Sequence, residues 1–148
     1  MRMTPFYSFF RANFFLLSGQ FSFPGRRVGE IIPQKSDEAF TIFRQMIKKR
    51  NPQKGKPGAI FKVRFQVINM SPEKNRIFSL FTIPFFTGLP GFCSKIWLEN
   101  KNREGEFMGI YEWETVQDAE NYSQSFAMRN MTKRSLPGSA SFEITAQQ

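Results

Sequence analysis

Residues 88–122 read GLPGFCSKIWLENKNREGEFMGIYEWETVQDAENY. Within this stretch, the side chains of residues 93–99 and of residues 107–113 form two alternating sets. A period of two is the periodicity of β-strands. Residues 100–106, which connect them, are polar except for one glycine, as in a solvent-exposed hairpin connection. The stretch therefore predicts an antiparallel hairpin whose strands each have two distinct faces.

Helices are predicted on both sides of this hairpin. Thr115, with Asp118 three residues later, has the pattern of a capping box, and the acid also lies at the positive end of the helix dipole. This helix is expected to run to about Phe126. Upstream, residues 71–73 combine a serine N-cap, a proline at the first helical position and an acid. Pro84 is expected to kink or end that upstream helix.

Two further alternating segments complete the pattern. Residues 59–68 place alanine, phenylalanine and valine on one face and mostly polar residues on the other, and residues 139–144 alternate in the same way. Between Phe126 and this last strand, the basic residues with serine and proline indicate a connection. The element order is then βαββαβ, which predicts an α+β, ferredoxin-like fold with an antiparallel sheet.

Two motifs in the chain resemble those of a known superfamily. LPGF at residues 89–92 and YEWETVQDAENY at residues 111–122 are similar to the antibiotic-biosynthesis-monooxygenase-like dimeric α+β barrels. The matching residues are Pro90, Gly91, Phe92, Trp97, Tyr111, Glu112, Trp113 and Ala119. The resemblance covers about residues 58–145. It implies a homodimer whose sheets pair into a barrel, and a small monooxygenase whose substrate it leaves open.

An N-terminal extension is predicted to precede this domain. Residues 1–57 hold 11 Lys and Arg and 3 acids, whereas residues 58–148 hold 10 and 9, so the net charge of +9 belongs mainly to the extension. Apolar residues at spacings of three and four predict an amphipathic helix at about residues 37–50. We expect this helix to dock on the domain, the alternative being a membrane-surface or partner helix. The sequence NPQKGKPG then marks a boundary, giving an extension of residues 1–57, a domain of residues 58–145 and a tail of residues 146–148.

Residues 1–29 contain four arginines and no acid, together with a Phe-rich run from Phe6 to Leu17. This run is too short and too polar for a transmembrane helix. Three interpretations stay open: an organelle-targeting peptide, a peripheral membrane anchor, or an arm that packs on the domain or on a second subunit. The lone Cys93 fits a reducing compartment, so we expect a cytoplasmic protein unless residues 1–29 direct it elsewhere.

Composition excludes several kinds of chemistry. The chain has no His and one Cys, and therefore lacks the commonest zinc ligand, the usual haem ligand and the usual base for a nucleophile. We predict no cofactor and no metal site. Because the predicted domain is nearly neutral, we predict no nucleic-acid partner.

Candidate functional residues follow from the resemblance, which implies a cavity between the sheet and the helices. Such a cavity would bind a small aromatic or hydrophobic compound for a cofactor-independent reaction with oxygen. The predicted catalytic residues are Trp97, Tyr111 and Trp113. The predicted substrate-binding residues are Arg64, Asn100 and Phe81.

The aromatic residues also have a purely structural interpretation, namely packing in the core and in a dimer interface. The alternative function is accordingly a non-catalytic ligand-binding or interaction module of the same fold, whose basic arm contacts membranes. Lys62, Arg64 and Lys95 are interpreted as solvated or interface charges before they are interpreted as ligand-binding groups.

Overall fold

The computed structural model describes residues 19–35 and 38–147, which form seven strands and three α-helices. In chain order these are β1 (Phe21–Ser22), β2 (Ile31–Pro33), β3 (Ala39–Lys48), β4 (Ala59–Gln66), α1 (Pro72–Thr87), β5 (Phe92–Asn100), β6 (Glu106–Trp113), α2 (Val116–Ser123), α3 (Phe126–Arg134) and β7 (Ser141–Ala146). A short 3-10 turn, Pro52–Lys54, lies between β3 and β4.

All seven strands belong to one antiparallel sheet in the order β1-β3-β5-β6-β4-β7, and β2 also pairs with β3. The last four strands of the chain, with the helices between them, have the order βαββαβ. Their spatial order β5-β6-β4-β7 places the first strand of the motif beside the third and the fourth. This is the split βαβ arrangement, so the predicted ferredoxin-like fold is confirmed.

Local signals in the sequence explain where the helices begin. Ser71 Oγ accepts a hydrogen bond from Lys74 N at 3.2 Å, and Thr115 Oγ1 accepts one from Asp118 N at 3.0 Å. Both predicted N-caps are therefore confirmed. Gly91 has φ +85°, and a Cβ atom at this position would lie 2.1 Å from Asp118 Oδ2. The turn before β5 thus requires glycine for its backbone conformation and for its close approach to α2.

The predicted connection after Phe126 is wrong, because residues 126–134 form α3. Ser125 caps this helix by accepting from Met128 N at 3.3 Å, and Lys133 and Arg134 occupy the last turn, where cations interact favourably with the helix dipole. These are ordinary helix signals in a stretch whose basic composition favoured a loop. α1 also continues through Pro84 to Thr87, and β7 extends to Ala146.

The predicted amphipathic helix at about residues 37–50 is also wrong, since residues 39–48 form strand β3. Both faces of β3 are apolar: Phe40 and Ile42 are buried on one side and Met46 on the other. A shift in the pairing with β5 between Ile42 and Arg44 changes the phase of the alternation. Two apolar faces and one bulge together produce spacings of three and four, which imitate a helix. Residues 39–48 thus share the sheet of the predicted domain.

The sheet separates two clusters of buried side chains. The helix-side face carries an aromatic-rich cluster that includes residues of all three helices; its largest members are Phe61, Phe86, Phe92, Trp97, Tyr111, Trp113 and Tyr122. The opposite face, here called the outer face, carries Phe40, Ile42, Ile96, Leu98 and Met108. Complete burial of each large apolar side chain contributes about 1.5–3 kcal/mol. Because side chains are buried on both faces of the central strands, β5 is buried along almost its whole length, and both faces stabilise the fold.

The predictions for the first part of the chain fall largely outside the described residues. Residues 1–18 carry most of the segment interpreted as a targeting peptide, an anchor or an arm, and residues 36 and 37 carry the start of the predicted helix. Over the described ranges, no helix combines the length and the apolarity that crossing a bilayer would require.

Candidate functional site

A cavity of about 120 Å³ lies between the helix-side face of the sheet and helices α1 and α3. Most of its lining is aromatic or aliphatic, with a few polar and cationic side chains among them. The residues that matter below are Lys95, Trp97 and Tyr111 from the sheet, Asn75 and Ser79 from α1, and Arg134 from α3. Small-molecule sites usually combine this kind of apolar lining with a few polar groups.

Lys95 is the most unusual member of this lining. It is only 7% exposed, and its Nζ lies 4.4 Å from the ring centre of Tyr111 and 4.5 Å from those of Phe86 and Trp97. The face of an aromatic ring attracts a cation, but the ring gives the ammonium group no conventional hydrogen-bond acceptor. Burial, and next the nearby charge of Arg44, lower the pKa of Lys95 well below its ordinary value of 10.5. Lys95 is thus an amine held in an aromatic enclosure.

Gly109 in β6 makes this position of Lys95 feasible. A Cβ atom on residue 109 would lie 3.0 Å from Tyr111 Cε1 and 3.3 Å from Lys95 Cε. Any larger residue would therefore press on both side chains at once. The absence of a side chain at residue 109 lets the lysine chain run across the sheet among the rings.

Tyr111 and Tyr122 form a buried pair beside the lysine. Tyr122 Oη donates a hydrogen bond to Tyr111 Oη at 2.8 Å. Burial raises the pKa of both phenols well above the ordinary value of 10, so both stay protonated at neutral pH. Because Tyr111 accepts from Tyr122, its own O–H remains available to donate to a third group. Tyr111 can therefore donate a hydrogen bond to a bound ligand.

Trp97 has two cationic side chains close to its ring. Its ring is 4.5 Å from Lys95 Nζ and 5.0 Å from Arg44 Cζ. Arg44 is held in place from α1, donating to Ser79 Oγ at 2.7 Å and to the Arg76 carbonyl at 2.9 Å. The indole Nε1 of Trp97 is buried and has no hydrogen-bond partner among the described residues. A buried N–H group without a partner costs about 1–3 kcal/mol.

Within the described residues, the charged side chains that line the cavity are all positive. Lys95 lies inside it, and Arg134 lies at its exposed rim with its Cζ 3.4 Å from the centre of the Phe78 ring. Arg44 does not line the cavity but contacts the Trp97 ring. Among the described residues that line the cavity there is no Asp or Glu. The polar side chains of α1 that line it, Asn75, Ser79 and Thr82, are uncharged. The cavity is therefore electropositive as well as apolar.

Of the three residues predicted to be catalytic, two line this cavity. Trp97 and Tyr111 are neighbours there, on adjacent strands. Trp113 is completely buried instead and packs against Phe92, Tyr111 and Tyr122 without lining the cavity. Its position on the same face as Tyr111 follows from the alternation, but its depth beneath α2 does not.

None of the three residues predicted to bind substrate lines this cavity. Arg64 and Asn100 are on the outer face, where both contact the carboxylate of Glu38 and Arg64 also pairs with Glu106. Each points away from the helices because strand alternation sends it to the other side of the sheet. Phe81 is 70% exposed on the solvent side of α1.

Lys95 is the functional candidate that the sequence interpretation missed. A lysine in a strand is usually solvated, and Lys95 was grouped with Lys62 and Arg64 for that reason. The signal was nonetheless present, because Lys95 and Trp97 are two residues apart and therefore share one face. Only the position of the helices shows that this face is enclosed.

Cys93 is a free, buried thiol beyond one end of this arrangement. Its Sγ contacts Glu114 Oε1 at 3.3 Å and the Gly91 carbonyl at 3.4 Å. Burial, together with this neighbouring carboxylate, raises the pKa of Cys93 to about 12. The thiolate is the nucleophilic form, so Cys93 is poorly suited to covalent catalysis.

Comparisons with known proteins support the fold. No family model and no curated protein matches the chain. Among solved structures, a monooxygenase-like protein from Listeria innocua is similar with a TM-score of 0.57 at 10% identity, over 77% of this chain and 66% of that one. A ferredoxin-fold protein from Listeria monocytogenes, related to antibiotic biosynthesis monooxygenases, has a TM-score of 0.57 at 11% identity and covers 100% and 91%.

A haem-degrading enzyme from Listeria monocytogenes is also similar, with a TM-score of 0.54 at 13% identity over 78% of this chain and 74% of that one. At these identities the likeness is one of fold. The chain therefore has the ferredoxin-like fold of monooxygenase-like proteins, as its motifs predicted. Haem does not fit the residues present: the chain has no His, and 120 Å³ is far below the roughly 300–1,000 Å³ of sites for drug-sized ligands.

Proposed function

We propose that the protein is a small, cofactor-independent monooxygenase-like protein that binds a planar aromatic compound in the cavity between the sheet and the helices. The observation that carries this proposal is the cavity itself, whose lining includes the Trp97 ring and Tyr111 with its free donor capacity. Aromatic walls favour a flat ligand, and the Tyr111 donor favours one that carries oxygen.

The size of the cavity limits the ligand. A cavity of about 150 Å³ lined by apolar residues can hold one benzene molecule. The present cavity, at about 120 Å³, therefore suits a ligand with a single ring in the interior and any substituent directed toward the rim at Arg134. In the proposed reaction the ligand supplies the electrons that reduce oxygen, Trp97 packs on the ring, and Tyr111 donates a hydrogen bond to a ring oxygen.

Oxygen consumption with a panel of single-ring hydroxylated aromatics tests the proposal. We expect uptake that depends on the aromatic compound, and a Tyr111→Phe variant whose kcat/KM falls roughly tenfold, the effect of one lost hydrogen bond. A Phe81→Ala variant, altered outside the cavity, serves as the matched control and should behave as the wild type. Uptake that is unchanged by Tyr111→Phe and lowered by Phe81→Ala would contradict the proposed site.

A non-catalytic binding module of the same fold is the second candidate. It is favoured by the raised pKa of both tyrosines and by the absence of a lining carboxylate among the described residues, which leaves few groups able to act as a base. Quenching of tryptophan fluorescence by a compound that causes no oxygen uptake would support this second function and exclude the first.

A homodimer stays a prediction of the resemblance. The outer face would meet a partner sheet in a paired barrel, yet its apolar residues, Phe40, Ile42, Ile96, Leu98 and Met108, are at most 8% exposed within one chain. Light scattering tests this point, since a dimer has twice the chain mass of 17.3 kDa and a monomer contradicts the prediction.

A further inference from the structure

Lys95 is the one fully buried cation among the described residues, and it has no acidic partner there. Arg50 pairs with Glu114, Arg64 with Glu38 and Glu106, and Arg76 with Glu99. Lys95, which is more buried than these, contacts three aromatic rings instead. An isolated buried ammonium is strongly unfavourable unless it is paired or loses its proton. The open space next to Lys95 is therefore where its missing partner would fit.

The missing partner must be an anion or a group that becomes one. A neutral ring alone would pack against the aromatic walls, but it would leave the Lys95 amine without a hydrogen-bonding partner. A ligand carboxylate or phenolate would pair with it, and the electropositive surroundings formed by Arg44 and Arg134 would favour the same charge.

A hydroxyl on the ligand ring can become an anion, and it is also the oxygen that the proposed oxygenation requires on the ring. We propose that the cavity takes an aromatic ring with an acidic hydroxyl, a phenol or an enol, and that Lys95 Nζ accepts the hydroxyl proton and holds the resulting anion. The inference rests on the proposed function and deepens it. In this step the O–H bond breaks and an N–H bond forms, the electron pair stays on the ligand oxygen, and no oxidation occurs. The ionised ring is the more electron-rich form and the better donor to oxygen.

The surroundings of Lys95 suit this proton transfer in both directions. Burial lowers the pKa of Lys95, which favours the neutral amine, the form that can accept a proton. Once the ligand is ionised, its anion and the three rings stabilise the ammonium together. The titratable and charged groups that face Lys95 or line the same cavity are Arg44 from β3, Tyr111 from β6, Tyr122 from α2 and Arg134 from α3. Helix α1 contributes the uncharged side chains Asn75, Ser79 and Thr82.

A ligand that reports its own ionisation tests this step without any turnover. Para-nitrophenol has a visible absorption band only as the phenolate, and para-nitroanisole has the same ring without an ionisable hydroxyl. We expect bound para-nitrophenol to titrate at least about one pH unit lower than the free compound, equivalent to about tenfold in affinity between its two forms. In Lys95→Met this shift should disappear, whereas Lys101→Met, changed in the exposed hairpin connection, should keep it.

Para-nitroanisole separates the possible failures. Equal binding of para-nitroanisole to the wild type and to Lys95→Met shows that the cavity is intact in the variant. If both compounds bind the wild type and para-nitrophenol stays neutral, the inference is overturned and the proposed aromatic site stands. If the shift persists in Lys95→Met, another group carries the charge and the inference is likewise overturned. If neither compound binds, the proposed function and the inference both fail.

Discussion

The two faces of the sheet accommodate charge in different ways. On the outer face, Arg64 lies between Glu38 and Glu106, and Asn100 donates to the same Glu38 carboxylate at 3.1 Å. On the helix-side face, Lys95 lies among rings that provide no carboxylate. Both are cations on central strands of one sheet. The first is satisfied by the chain, and the second leaves room for something that the chain does not supply.

This difference separates structural charge from candidate functional charge. A paired cation on a partly exposed face mainly fixes the positions of its neighbours. An uncompensated amine in a cavity lowers stability, and groups with strongly shifted pKa values in clefts are enriched at functional sites. Removing Arg64 on the outer face tests the role of a paired cation. Removing the Lys95 amine on the helix-side face tests the role of an unpaired one.

Arg64→Met should have the largest effect on stability. The variant leaves Glu106, whose side chain is 7% exposed, with only the more distant and exposed Arg103 at 3.3 Å. We expect the free energy of unfolding to fall by roughly 3 kcal/mol, the lower end of the range for a broken buried pair. Chemical denaturation measures this change. The affinity for aromatic ligands should stay constant. A loss of affinity would show that Arg64 contributes to ligand binding.

Lys95→Met should have the opposite sign. Replacing a buried amine that has no acceptor with an apolar side chain of similar length should raise the free energy of unfolding by about 1–3 kcal/mol at neutral pH. The unfolded chain binds the Lys95 proton more tightly than the folded chain, because folding lowers this pKa. The stability of the wild type should therefore rise relative to the variant as the pH increases toward 10.5. A constant difference across that range would indicate that Lys95 keeps its ordinary pKa.

Tyr122→Phe should cost about 1 kcal/mol, since it removes the hydrogen bond that Tyr122 donates to Tyr111. The loss should also alter ligand affinity, because Tyr111 then loses the neighbour that orients its hydroxyl. Ser94→Ala, which removes a 2.6 Å hydrogen bond to Glu112, is the matched control with no expected effect on affinity. Equal effects of the two variants on ligand binding would argue against a role for the tyrosine pair.

Lys62→Met should have the smallest effect, below about 1 kcal/mol, because its pair with Glu143 at 3.1 Å is partly exposed. Thermal unfolding at low and high salt measures it. A large loss would show that even the rim of the outer face depends on its charges.

The sequence predicted the βαββαβ core because its signals are local. Period-two strands, the caps at Ser71 and Thr115 and the turn at Gly91 each act within a few residues. β3 was mistaken for a helix because its pattern depends on a bulge and on the burial of both faces, which are tertiary features.

The candidate site was predictable in part for the same reason. Alternation placed Trp97 and Tyr111 on the face covered by helices, and it placed Lys95 there as well. The depth of each side chain depends on where α1, α2 and α3 pack. The sequence therefore could not separate Trp97, which lines the cavity, from buried Trp113, or enclosed Lys95 from partly exposed Lys62.

The two tryptophans allow a direct test of which region binds the ligand. Trp97 lines the cavity and Trp113 lies in the packed core, and both indole N–H groups lack a hydrogen-bond partner among the described residues. A nitrogen–proton correlation spectrum therefore contains one indole signal from each, and Trp97→Phe assigns them. On titration with para-nitrophenol, we predict that the Trp97 signal shifts and saturates while the Trp113 signal moves much less. A titration in which the Trp97 signal stays fixed, while binding is detected by absorbance, would contradict the cavity as the binding site.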